Sequence, residues 1–168
     1  NLTESDISVD SPTNNFATWN PLDSDTATFS EGNLSTVVVG SGTQNLCNSM
    51  SIPTDTKFYV ELYCKVNGDT RVGIADEGFS AFTSIESATR YCVFNNWNGQ
   101  KYVNGSQSAY SSSWGAGVII GIAVDTVNDT CTFYKDNVSQ GSISISSGYN
   151  YKVVLSGGGG SAATYLLN

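Results

Sequence analysis

Carboxylates and thiols carry whatever reactive chemistry this chain has, because it contains no histidine. Without imidazole, Ser-His-Asp and Cys-His catalysis as usually built are excluded, together with every zinc site that uses a histidine. Retaining glycoside hydrolysis needs two carboxylates about 5 Å apart. The nearest approach is Asp23-Ser24-Asp25, ahead of the core strands; Glu61 stands alone, and Asp76-Glu77 are consecutive in a loop. No catalytic pair emerges, and the expectation is a protein that is not an enzyme. Asp23 with Asp25, or Asp125 with Asn128 and Asp129, are ligand types that calcium uses in loops. Turn and cap roles account for the same residues, so no metal and no other cofactor is expected. Cys47, Cys64, Cys92 and Cys131 include no CxxC pair. Cys64 shares a strand face with Phe58, Val60 and Leu62, and Cys131 shares one with Phe133. Both read as small apolar core residues, with free thiols preferred and a disulfide left open, since spacing fixes no pairing.

The charge is as informative as the missing histidine. Seven Lys+Arg against fifteen Asp+Glu give a net charge of -8, so the basic stripe that nucleic acid requires is lacking. The first basic residue is Lys57, and seven acids precede it: Glu4, Asp6, Asp10, Asp23, Asp25, Glu31 and Asp55. The excess thus sits in the first third, which also holds all three prolines, and residues 1–18 read as an extended acidic segment. No apolar run reaches the ~18 residues of a membrane-spanning helix. Met50 is the only methionine and the chain opens at Asn1, which implies a processed product or a piece of a longer polypeptide. Five N-x-S/T sequons occur in so Asn-, Ser- and Thr-rich a sequence that they say nothing about secretion.

Strands must position these residues, for no stretch shows a helical period while period-two alternation recurs. Expected strands are Ala27–Phe29, Ser35–Val39, Lys57–Val66, Thr70–Ala75, Tyr91–Phe94, Gln100–Val103, Val118–Asp125, Thr130–Lys135, Val138–Ile145, Tyr151–Leu155 and Ala162–Leu166. Asn67-Gly68-Asp69, Asn98-Gly99, Asn104-Gly105, Asn128-Asp129 and Asp136-Asn137 separate them, each tolerating positive φ. The two-residue Asp136-Asn137 loop predicts a type I′ hairpin. Short strands punctuated in this way describe an all-β antiparallel sandwich.

The second half resembles the SPRY (B30.2-like) family, a β-sandwich related in shape to concanavalin A-like jelly rolls. Phe58-Tyr59-Val60-Glu61-Leu62 is similar to its aromatic core strand, and Val72-Gly73-Ile74-Ala75 to its "V-G-I-A" strand. Tyr102-Val103-Asn104-Gly105 followed by Tyr110 resembles its "Y-x-N-G" loop. The run Gly117–Asp125 resembles "G-D-V-I-G-V-A-L-D", with Val118 in place of the usual Asp. Thr132–Val138 resembles "L-x-F-Y-x-N-G-V", with Asp136-Asn137 at the usual Asn-Gly turn. The resemblance spans about Trp19 to Leu166, which implies one such sandwich over residues 19–168 behind the acidic segment. The stretch Asp10–Pro21 is also similar to a segment that precedes SPRY-like modules in bacteriophage structural proteins.

The resemblance implies recognition by loops at one end of a rigid scaffold. The candidate loops are Gly40–Asn45, Asp76–Ala88, Asn95–Gly99 and Asn104–Trp114, which carry Phe79, Phe82, Trp97, Tyr110 and Trp114. Tyr110 and Trp114 are also expected in the family's core. Trp97, flanked by Asn95, Asn96 and Asn98, is the best surface candidate, since aromatic faces with amide donors suit sugars and large aromatics suit protein hot spots. The expected binding residues are Trp97, Asn95, Asn96, Asn98, Phe79, Phe82 and Tyr110. The expected function is a non-enzymatic virion module, a phage fibre or tail domain exposed on the particle surface that recognises a host-surface ligand, a glycan before a protein. The alternatives are a capsid decoration or assembly module that meets only other virion proteins, a glycan-cleaving enzyme, and a cellular adaptor that recognises peptides. Neither nucleic acid nor a membrane span is expected, and homo-oligomerisation is left open.

Overall fold

Alternation decides which side of each strand is dry, and in this chain it builds two sheets with their apolar faces turned together. The computed structural model describes residues 17–38, 44–157 and 160–168. Along these run β1 (Trp19–Ser24), β2 (Thr28–Ser30), β3 (Ser35–Val38), β4 (Gln44–Asn48), β5 (Lys57–Val66), β6 (Thr70–Asp76), β7 (Tyr91–Asn95), β8 (Gln100–Val103), β9 (Ser106–Ala109), β10 (Ile119–Asp125), β11 (Thr130–Lys135), β12 (Val138–Ser144), β13 (Tyr151–Gly157) and β14 (Ala163–Leu167). The first sheet has the order β1-β4-β13-β6-β7-β8-β9 and the second β12-β11-β10-β5-β14-β3-β2. The pairings are antiparallel throughout, so the expected all-β antiparallel sandwich is the architecture found.

The expected strands recur with ends moved by a residue or two. Three strands were not expected: β1, β4 and β9. The loop expected at Gly40–Asn45 is partly β4 and otherwise outside the described residues, and the loop expected over Asn104–Trp114 contains β9. All but two residues of the acidic segment 1–18 also lie outside. Asp136 and Asn137 both have positive φ, 47° and 66°, as the type I′ hairpin between β11 and β12 requires.

The main core lies between the sheets, with Leu62, Ile120, Ile122, Phe133 and Tyr165 from one side meeting Ile74, Phe94 and Leu155 from the other. A second apolar cluster lies on the far side of the first sheet. There Cys47, Ala75, Tyr91, Val93 and Val154 are covered by Phe79, Ala81 and Ile85 from the segment that joins β6 to β7. Among the described residues, nothing covers the second sheet in this way. Its outer face shows Tyr59 and Tyr63 in part to solvent, and Tyr59 meets Tyr134 edge to face at 6.2 Å. Tyr59 lies flat across Gly121, where a Cβ would collide with its ring and hydroxyl.

Candidate functional site

The Asn-rich turn after β7 holds one tryptophan out and two asparagines in. Asn95 Oδ1 accepts the Trp97 N–H at 2.8 Å, a side-chain-closed turn of the kind Asn favours. Asn96 is a central tie. Its Oδ1 accepts the Thr70 N–H at 2.8 Å, and its Nδ2 donates to Asn67 Oδ1 at 2.7 Å and to the Gly68 carbonyl at 2.6 Å. Its backbone N–H donates to Thr70 and its carbonyl accepts from the Trp114 N–H. Asn98 Oδ1 accepts the Gln100 N–H at 3.0 Å. Gly99 then turns with φ +69°, where any Cβ would strike the Ser111 carbonyl. The result is a rigid tip on which Trp97 is 75% exposed while Asn95 and Asn96 are buried.

Beside Trp97 lies a recess of about 390 Å³ lined by Asn67, Gly68, Asp69, Asn96, Trp97 and Ser161. A Cβ on Gly68 would come 2.5 Å from the Ser161 carbonyl, so glycine is what lets the β5–β6 turn approach the strand beyond. The Asp69 carboxylate, the Ser161 hydroxyl and the Trp97 indole N–H have no partner among the described residues. An indole face, a carboxylate acceptor and a hydroxyl thus open onto one polar recess with no cationic side chain in its lining.

The remaining expected site residues do not join them. Phe79 is buried in the cluster outside the first sheet, where it anchors the β6–β7 segment. Phe82 is 63% exposed but belongs to the crest of that segment: Asn45 Nδ2 donates to the neighbouring Thr83 carbonyl at 2.6 Å, which places it over β4, three strands from β7. Tyr110 is wedged edge-on between Phe94 at 5.1 Å and Phe133 at 6.0 Å. Its hydroxyl donates to the Gly141 carbonyl at 2.5 Å, and burial pushes its pKa up. Asn95 and Asn96 shape the recess and present little to a ligand. Asn67, Asp69 and Ser161 are the residues that sequence reading passed over; Asn67-Gly68-Asp69 was legible only as a turn.

Asp23, Glu61 and Asp125 are committed elsewhere. Asp23 Oδ2 accepts from Lys152 Nζ at 2.6 Å and its Oδ1 from the Ala81 N–H at 2.9 Å. Burial opposes ionisation there, but Lys152, the Ala81 N–H and Cys47 together outweigh it and hold the Asp23 pKa below its ordinary 3.8. A carboxyl held ionised in this way is unsuited to donate a proton. Glu61 accepts from the Tyr59 hydroxyl at 2.9 Å. Asp125 caps the β10–β11 turn through the Val127 and Asn128 N–H groups and pairs with Lys57 at 3.1 Å. Among the described residues no three His, Cys, Asp or Glu side chains cluster as metal ligands.

The two-sheet topology and the aromatic core between the sheets define an antiparallel β-sandwich. The sequence model of the SPRY domain matches residues 56–152, and the chain belongs to that family. Similar solved structures include the SPRY domain of human HERC1 (14% identity, TM-score 0.74, covering 89% of this chain and 96% of that one). The TRIM65 PSpry domain is alike at 14% identity and TM-score 0.74, over 92% of each chain. Stonustoxin matches at 18% identity and TM-score 0.73, over 91% of this chain and 27% of that one. No curated protein matches the chain. SPRY domains are generally non-catalytic modules that mediate protein interactions. No helix among the described residues is long and apolar enough to cross a membrane.

Proposed function

We propose that this chain is a non-catalytic recognition module whose Trp97 recess binds a sugar of a host-surface glycan, with the module carried on a virion as a fibre or tail domain. The observation that carries this reading is the exposed indole held rigidly beside unpartnered Asp69 and Ser161. A pyranose has one C–H face for an aromatic ring and hydroxyls for acceptors and donors at its edge, and the recess offers both. A carboxylate with no cation in the lining favours neutral or amine-bearing sugars over acidic ones. The virion setting rests on the Asp10–Pro21 resemblance and on a weakly charged Gly/Ser/Thr/Asn-rich composition.

Membership of a family that mediates protein interactions supports a second reading, in which the tip is a protein hot spot on another virion protein. A glycan array followed by calorimetry on the best sugar separates the two. Trp97→Ala should weaken that sugar about thirtyfold, the equivalent of ~2 kcal/mol for a stacked tryptophan. Silence across the array, with binding to capsid proteins that the same substitution abolishes, would replace the glycan by a protein.

A further inference from the structure

Cys92 and Cys131 face one another across the sandwich. Cys92 lies in β7, paired laterally with Ile74 and Val103, and Cys131 lies in β11, paired with Val124 and Ile143. Two residues further along each strand, Phe94 and Phe133 meet across the same interface with ring centroids 5.5 Å apart. β7 and β11 therefore run in step on opposite sheets, with 92 facing 131 where 94 faces 133. Both cysteines are fully buried in the main core and, like Cys47 and Cys64, are free thiols in this structure; Cys92 and burial together hold the Cys131 thiol protonated. The other two thiols are elsewhere: Cys47 lies in the cluster outside the first sheet, and Cys64 lies near Tyr165.

We propose that Cys92 and Cys131 form an inter-sheet disulfide when the chain folds in an oxidising medium. The oxidant is a small-molecule disulfide such as oxidised glutathione. One cysteine thiolate attacks a glutathione sulfur, breaking its S–S bond, forming a mixed disulfide and releasing one glutathione thiolate. The second cysteine, deprotonated, displaces the remaining glutathione and closes the protein S–S bond. Two electrons pass to glutathione, and the two thiol protons end on its two thiols. Because thiolate is the attacking species and both side chains are sealed in the core, the exchange runs before the sheets close rather than in the finished sandwich. The bond then ties β7 to β11 and so joins the two sheets covalently across the core.

The test is refolding the whole chain in a glutathione redox buffer and, separately, in excess dithiothreitol. The oxidised product should be lighter by two hydrogens, yield one cross-linked peptide pair containing Cys92 and Cys131, and leave Cys47 and Cys64 open to alkylation after denaturation. Its Tm should exceed that of the reduced form by roughly 5–10 °C, from the loop that the bond closes. Cys47→Ala should leave the bridge intact, and Cys131→Ala should abolish it. Four alkylatable thiols after oxidative refolding, or a bridge between any other pair, would overturn the proposal. The mass readout on the unaltered chain decides it even where a variant fails to fold.

Discussion

Two connections in the first sheet carry aromatic residues and use them in opposite ways. The β6–β7 segment sends Phe79 down onto Ala75, Tyr91 and Val93 with Ile85 beside it, and it is clamped by the Ala81 N–H on Asp23, itself paired with Lys152, and by Arg71–Glu86. The β7–β8 turn is pinned by asparagine hydrogen bonds and sends Trp97 out. One connection is a lid whose energy is apolar burial, and the other is a display platform whose energy is polar satisfaction. An aromatic residue in a loop is therefore ambiguous until its partners are known. What separates the two cases is whether the neighbouring polar groups face the chain or the aromatic ring does.

Substitutions should exaggerate the contrast. Phe79→Ala removes a buried ring from the lid and should cost about 3–4 kcal/mol of unfolding free energy in urea titration, while the sugar affinity proposed for Trp97 stays unchanged. A loss of sugar affinity to match would mean that lid and tip act as one unit. Asp23→Ala strands Lys152, only 12% exposed at the side chain, and should cost about 2–3 kcal/mol. The pH dependence has a definite sign. Asp23 has a folded pKa below 3.8, so its contribution is fully present above that value and is lost as pH falls through the lower, folded value. Melting curves from pH 6 to pH 2 should show the native chain losing more Tm than Asp23→Ala. Equal losses would remove this clamp from the acid response. The smallest effect separates the two exposed aromatics: Phe82→Ala and Trp97→Ala should each change stability by less than about 0.5 kcal/mol, yet only the second should weaken sugar binding.

The strands with alternating apolar residues were legible because burial on one face leaves a period of two. β5 is the clearest, with Val60, Leu62 and Cys64 buried and Tyr59, Tyr63 and Lys65 outside. β1, β4 and β9 lack that mark for three different reasons. β1 contains Pro21 and shifts register between Trp19 and Ser24. β4 is buried on both faces, so Gln44, Asn45 and Asn48 interrupt any apolar pattern. β9 is exposed throughout, as Ser-Gln-Ser-Ala. The display of Trp97 was readable from its polar neighbours, but the inward use of Asn95 and Asn96 was not, because an amide that satisfies a backbone looks the same in sequence as one that waits for a ligand. The burial of Phe79 leaves no mark in the sequence, since folding back over a sheet carries no periodicity. Asp69 and Ser161 are far apart in the chain, and only the close approach at Gly68 brings them together.

Gly121 and Tyr59 have a consequence for how this sequence can drift. The Tyr59 hydroxyl and ring edge occupy the space that a Cβ at position 121 would need, so replacing the glycine requires this half-exposed side chain to swing aside. Replacing the tyrosine alone exposes a bare stretch of backbone in the middle of β10 that no side chain shields. The two positions are therefore expected to be coupled: Gly121→Ala should cost more stability when Tyr59 is present than in a Tyr59→Ala background.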